Sequence, residues 1–100
     1  MKFEPNSVTT FTYTAPKAHD RYPKVLVLAE AQDRIHALNL NRLTDTEKEN
    51  LKKILVKADF ADPDRMYEQK LKNVVRNINS YRVYRKSFIQ AERVLDRTFV

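Results

Sequence analysis

Apolar and polar positions along the chain fall into short runs separated by polar breaks, and the runs of the first half are of strand length. Ser7-Val8-Thr9-Thr10-Phe11-Thr12-Tyr13-Thr14 is dense in β-branched and aromatic residues with partial alternation, which fits a pleated, half-buried surface and predicts a first strand. Ala15 to Tyr22, with Pro16, His19 and Asp20 and closed by Pro23, reads as a loop. Lys24-Val25-Leu26-Val27-Leu28-Ala29 is an unbroken apolar run, the pattern of a strand buried on both faces at the centre of a sheet. Glu30-Ala31-Gln32-Asp33 interrupts it, and Arg34-Ile35-His36-Ala37-Leu38-Asn39-Leu40 resumes it. This predicts a hairpin with a four-residue type I connection, which needs no positive φ and so no Asn-Gly pair.

The period then changes. Thr44-Asp45-Thr46-Glu47 forms a capping box, and Leu51, Ile54, Leu55 and Ala58 follow at i, i+3, i+4 and i+7, a single buried stripe that leaves Lys48, Lys52 and Lys53 in water. Phe60 is expected near the end of this helix. Asp62-Pro63 predicts a second helix, with Asp62 as N-cap and Pro63 at the first helical position. Its core stripe is Tyr67, Leu71, Val74, Val75 and Ile78, and the poor helix formers Asn77 to Ser80 end it. Tyr81-Arg82-Val83-Tyr84-Arg85 reads as a short last strand. Ser87-Phe88-Ile89-Gln90 reads as a second capping box, opening a C-terminal helix that buries Phe88, Ala91, Leu95 and Phe99. The expected class is α+β: a small SH3-like β-barrel or curled antiparallel sheet, with two to three α-helices inserted before and after the last strand, in a single domain spanning residues 1–100.

Composition narrows the function more than the fold. At 100 residues, 42% hydrophobic and 32% charged, the chain has the makings of one core and not of a disordered tail. It has no cysteine, which removes disulfides, thiolate metal sites and cysteine nucleophiles. It has no glycine either, so the close backbone approach to phosphate of Walker and dinucleotide-binding loops is absent, and no nucleotide cofactor is expected. Neither the opening Met1 to Asn6 nor any later stretch has the apolar length of a signal peptide or of a membrane span. No membrane partner is therefore expected.

Charge is unevenly placed. Residues 1 to 64 carry ten Lys/Arg and ten Asp/Glu, whereas residues 65 to 100 carry nine Lys/Arg against Glu68, Glu92 and Asp96, so the net +6 lies in the last third. Such asymmetry suits nucleic acid or an acidic protein surface, and it equally suits a solvated face that keeps a small domain soluble. The most informative segment is basic and aromatic: Lys70, Lys72 and Arg76, then Tyr81, Arg82, Tyr84, Arg85 and Lys86. Tyrosines stack on bases while Arg and Lys neutralise phosphates, although one of Tyr81 and Tyr84 is expected to face the core. Candidate binding residues are Lys70, Lys72, Arg76, Arg82, Tyr84, Arg85 and Lys86.

Catalytic and metal-binding patterns are weak by comparison. His19 and His36 have no second ligand at metal-binding spacing. His19 belongs to a polar loop and His36 to a strand, as a partly buried structural residue. Asp59, Asp62 and Asp64 are the clustered carboxylates, but Asp62 caps a helix and Asp64 complements its dipole. No catalytic residues, metal or cofactor are expected.

Phe11-Thr12-Tyr13, then Tyr22 to Leu28, then Ala37-Leu38-Asn39-Leu40-Asn41-Arg42-Leu43, with Tyr81-Arg82-Val83-Tyr84-Arg85 near the end, resemble the small SH3 β-barrel fold-containing proteins of tailed, T4-like bacteriophages. The resemblance implies a helix-decorated barrel acting in the host cytoplasm or within a phage particle. The barrel also looks distantly like the PemK/MazF toxin ribonucleases, in which Arg21 before Tyr22-Pro23 would take the basic-loop position. Ala29-Glu30-Ala31 stands where that family has a Ser or Thr partner. Three readings follow: a non-enzymatic module binding nucleic acid or a nucleoprotein through its basic C-terminal surface, a virion assembly component of the tail, baseplate or neck pairing with an acidic subunit, and a ribonuclease barrel.

Overall fold

A central strand that is apolar on both faces needs cover on both, and the fold supplies it by curling one sheet and laying a helix outside it. The computed structural model describes residues 2–18, 20–56, 65, 71, 72 and 80–99. In chain order these form β1 (Val8–Tyr13), β2 (Lys24–Glu30), β3 (Arg34–Asn39), a 3-10 turn (Leu40–Arg42), α1 (Asp45–Leu55), β4 (Tyr81–Arg85), a second 3-10 turn (Lys86–Phe88) and β5 (Ile89–Asp96). The five strands make one antiparallel sheet in the order β4-β3-β2-β1-β5.

This order cannot lie flat. The outer strands of a flat five-stranded sheet are separated by about 19 Å, yet β4 and β5 are joined by a three-residue 3-10 turn that rises only about 6 Å. The sheet therefore curls until its ends approach. Tyr84 of β4 accordingly lies edge-on to Phe11 and Tyr13 of β1, with ring centroids 5.2 and 5.0 Å away. The backbone N–H of Arg85 donates to the Tyr13 hydroxyl at 3.2 Å, and that of Thr14 to the Phe88 carbonyl at 2.9 Å.

Residues of β2 alternate between two apolar clusters. Val25 and Val27 join Phe11, Ile35, Tyr84 and Ile89 inside the curl, while Leu26 and Leu28 join Leu38 and the α1 residues Leu51 and Leu55 outside it. All four β2 side chains are fully buried, each contributing about 1.5–3 kcal/mol relative to exposure. The central position expected for this run is the one observed. The β2–β3 hairpin closes through Ala31 N–H donating to the Arg34 carbonyl at 2.8 Å, with no positive φ among residues 31–34.

The capping box of α1 forms as expected: Glu47 N–H donates to Thr44 Oγ1 and Thr44 N–H to Glu47 Oε1, both at 3.1 Å. Ala58, Phe60 and the residues of the expected Asp62-Pro63 helix lie outside the described residues, apart from exposed Arg65 and Lys72 and from Leu71, which is buried in the cluster beneath α1. Among the described residues no helix is long and apolar enough to cross a membrane.

The expected C-terminal helix is not formed. Residues 86–88 make a 3-10 turn and residues 89–96 a strand, paired with β1 from Tyr13↔Ile89 to Val8↔Asp96. The physical reason is the open edge of β1, whose unpaired N–H and C=O groups are satisfied by a strand and not by a helix. Ile89 is the one buried residue of β5, so Ala91 and Leu95, expected in the core, face solvent, and Phe88 and Phe99 are half-buried. The register slips between Thr10 and Thr12 and again between Val8 and Thr9, placing both β-bulges on β5. Without glycine, the left-handed backbone positions among the described residues fall on Asn6, Lys17 and Ala91, with φ of 71°, 62° and 53°. The observed class is thus α+β with a curled antiparallel sheet and, among the described residues, one α-helix placed before β4 and none after it.

Candidate functional site

The loop from Thr14 to Pro23 crosses one end of the curled sheet and is pinned there by Asp20. Its carboxylate accepts from Asn39 Nδ2 at 3.0 Å, Asn41 Nδ2 at 3.2 Å and the Tyr22 backbone N–H at 3.0 Å. Asn39, fully buried at the end of β3, also accepts from the Asn41 N–H at 3.0 Å through its side-chain oxygen. Burial raises the Asp20 pKa, but the Asn39, Asn41 and Tyr22 donors and the nearby Arg42 guanidinium outweigh it and hold the carboxyl below its ordinary range.

Between this loop and β4 runs a groove of about 250 Å³. Lys17 and Asp20 contribute from the loop, Asn39 and Arg42 from the end of β3 and the turn after it, Arg82 and Val83 from β4, and Tyr13 and Tyr84 from the aromatic cluster. Three cations thus meet one carboxylate, and that carboxylate is already engaged by the Asn39, Asn41 and Tyr22 donors. Among the described residues neither Arg42 nor Arg82 has an ion pair. The described lining of the groove thus holds three positive side chains against one negative.

Of the residues singled out in the sequence, those that are described fall on different faces. Lys70 and Arg76 lie outside the described residues, and Lys72 is exposed. Along β4 the side chains alternate. Arg82 and Tyr84 are opposite Ala37 and Ile35 on the inner side, whereas Arg85 is exposed and opposite Arg34 on the outer side. Tyr84 is only 5% exposed, its ring held edge-on by Phe11 and Tyr13. It is the tyrosine of the pair that faces the core, and it offers no free face for stacking. Burial, followed by the nearby Asp20 charge, pushes its phenol pKa well up. Tyr81 is half-buried, with its hydroxyl 3.0 Å from His36 Nδ1, and His36 is the partly buried structural residue expected of it. Lys86 is an internal tie, pairing with Glu30 at 3.0 Å with both side chains largely covered. Glu30 also accepts the Phe3 N–H at 2.8 Å. Burial raises its pKa, but Lys86 and this N–H outweigh it and hold the carboxyl low.

Sequence reading missed Lys17 and Arg42, which lie 25 and 40 positions from their next partners in the trio Lys17, Arg42 and Arg82. The available signal was Asn39-Leu40-Asn41-Arg42: short amides around an apolar residue at a strand end, which serve as hydrogen-bonding anchors for a neighbouring loop. His19, Asp59, Asp62 and Asp64 are outside the described residues, and Arg21 is exposed. No group of three or more potential metal ligands occurs among the described residues. Compared with protein families, curated proteins and solved structures, the chain matches none.

Proposed function

We propose that this chain is a non-enzymatic nucleic-acid-binding module of the SH3-like barrel type, working in a phage-infected host cytoplasm or within a phage particle. The barrel reading is supported by the strand order β4-β3-β2-β1-β5 with a 3-10 turn between β4 and β5, the connectivity of a small barrel whose last strand closes on its first. The observation that carries the functional reading is the concentration of the whole +6 charge in residues 65–100, where exposed Lys72, Arg85, Arg93 and Arg97 and half-buried Arg82 stand among the described residues. Cations so concentrated attract phosphates and release counterions. The non-enzymatic reading is supported by the state of the described carboxylates near the sheet ends. Asp20 and Glu30 are each engaged by several donors and kept ionised, which leaves neither poised as a proton carrier.

Fluorescence anisotropy with DNA and RNA oligomers tests the proposal. Binding at low salt is expected, with affinity falling steeply as salt rises, and no shift with either polymer sinks it. Incubation with a long RNA, comparing the native chain with Arg21→Ala, tests the ribonuclease alternative, for which Arg21-dependent cleavage is the required result.

One observation favours a second reading, an assembly role in the virion. β5 is an edge strand with Val94 and Leu95 each 47% exposed, a template for strand addition by a protein subunit. Mass spectrometry of purified virions decides it, since absence from the particle excludes that role.

A further inference from the structure

We infer that the contact centre for nucleic acid is the groove beneath the Thr14–Pro23 loop, and that it takes the phosphodiester backbone of a single strand while the exposed ring of Tyr22, in the same loop, stacks an adjacent base. This rests on the nucleic-acid reading above but moves the site from the basic C-terminal surface to a place assembled from three distant parts of the chain. Lys17, Arg42 and Arg82 supply the charge. Three positive side chains outnumber the one carboxylate in the groove lining, whose oxygens already accept from Asn39, Asn41 and Tyr22.

Tyr22 is the most exposed large hydrophobic residue of the described chain, at 72%. Its backbone, unlike its ring, is tightly held: the N–H donates to Asp20, the carbonyl accepts from Asn41 Nδ2 at 3.4 Å, and the next residue, buried Pro23, accepts the Phe11 N–H. An exposed ring on a fixed backbone, two positions along from a groove residue, is a stacking platform whose ordering cost is already met by the fold. A cleft of about 250 Å³ is of the size of one backbone unit, and the preference for a single strand rests on Tyr22, because a base free to stack on tyrosine must already be unpaired.

The test is anisotropy of labelled dT15, rU15 and a mixed-sequence duplex with the full chain, at low and at moderate salt. The expected order is either single strand well above duplex. Arg42→Gln/Arg82→Gln is expected to weaken single-strand binding about tenfold or more, against less than about threefold for Arg85→Gln/Arg93→Gln, which removes the same charge outside the groove. Tyr22→Ala is expected to cost about five- to thirtyfold. Because the groove arginines are partly buried, Lys17→Asn is the companion variant. Asn suits the left-handed backbone at that position better than Lys does, so its expected loss of a few-fold is not an effect of unfolding. Equal losses from the groove and control pairs overturn this inference while leaving the basic-surface reading intact. So does a duplex bound as tightly as the single strands. Displacement by free dTMP at the same phosphate concentration as by unlabelled dT15 also overturns it, and assigns the groove to a free nucleotide. No binding of any probe removes both proposals.

Discussion

β2 and β5 flank the same strand, β1, and obey opposite rules. β2 is the central strand, with Val25 to Leu28 fully buried and alternating between the two apolar clusters. β5 lies at the edge, with Ile89 its one buried residue and two bulges along its pairing. Burial holds β2 in place through its side chains. β5 is held chiefly through its backbone, by the hydrogen bonds that β1 would otherwise leave unmade. Stability should therefore respond to side-chain changes in β2 and to backbone changes in β5.

The largest effect is expected from Leu26→Ala. This side chain is fully buried between β1 and β3 beneath α1, and its truncation should cost about 2–5 kcal/mol by chemical denaturation. A loss under about 1 kcal/mol would mean that the two-sided core does not carry the fold.

The contrast also accounts for what was legible in the sequence. The run Val25 to Leu28 reads correctly because a strand buried on both faces leaves no polar position to confuse its period. The Thr44 cap reads correctly because both of its hydrogen bonds are local, within residues 44–47. β5 misleads for the converse reason. Phe88, Ala91 and Leu95 happen to fall at helical spacing after Ser87, and an edge strand exposed on both faces imposes no alternation that would contradict them. Its conformation is decided by the vacancy along β1, a non-local fact. The groove is hidden for the same kind of reason. Arg82 stood out within a basic stretch, but only the curl of the sheet brings it to Arg42 and Lys17.

Next in size is an acid-sensitive tie between the sheet ends and the chain start. Glu30 holds both Lys86 and the Phe3 N–H, and its folded pKa is lowered from the ordinary 4.5. A lowered carboxyl pKa contributes stability that is fully present above the unfolded value and is lost as pH falls through the folded one. Asp20, lowered from 3.8, acts with the same sign. Denaturation midpoints should thus be level above about pH 5 and fall below about pH 4. Glu30→Gln should cost about 1 kcal/mol at neutral pH and flatten part of the acid slope. An unchanged slope in the Glu30→Gln/Asp20→Asn double variant would show that other groups drive acid unfolding.

Smaller, and opposite in sign, is Ala91→Gly. Ala91 takes φ 53° at the first bulge of β5, where an L-residue with a Cβ is disfavoured by roughly 1–2 kcal/mol. Glycine removes that strain, and the greater entropy it loses on folding offsets roughly 0.5–1 kcal/mol of the gain. A net stabilisation of up to about 1 kcal/mol is expected, and Ala91→Val should destabilise. Destabilisation by glycine would show that the strand does not hold this bulge in solution.

The smallest effect should come from the most apolar part of β5. Val94 and Leu95 are each 47% exposed, so Val94→Thr and Leu95→Thr should change stability by less than about 0.5 kcal/mol. The charges around them also work against self-pairing of this edge. In an antiparallel pair of β5 strands centred on Val94, Glu92 faces Asp96, and in one centred on Leu95, Arg93 faces Arg97; like charges directly opposite destabilise a sheet. The two variants should therefore behave alike at low and high protein concentration. A loss above about 2 kcal/mol that grows with protein concentration would show that β5 is covered by a second copy in solution. β5 would then be held through its side chains, as β2 is, and the contrast between the two strands would fail.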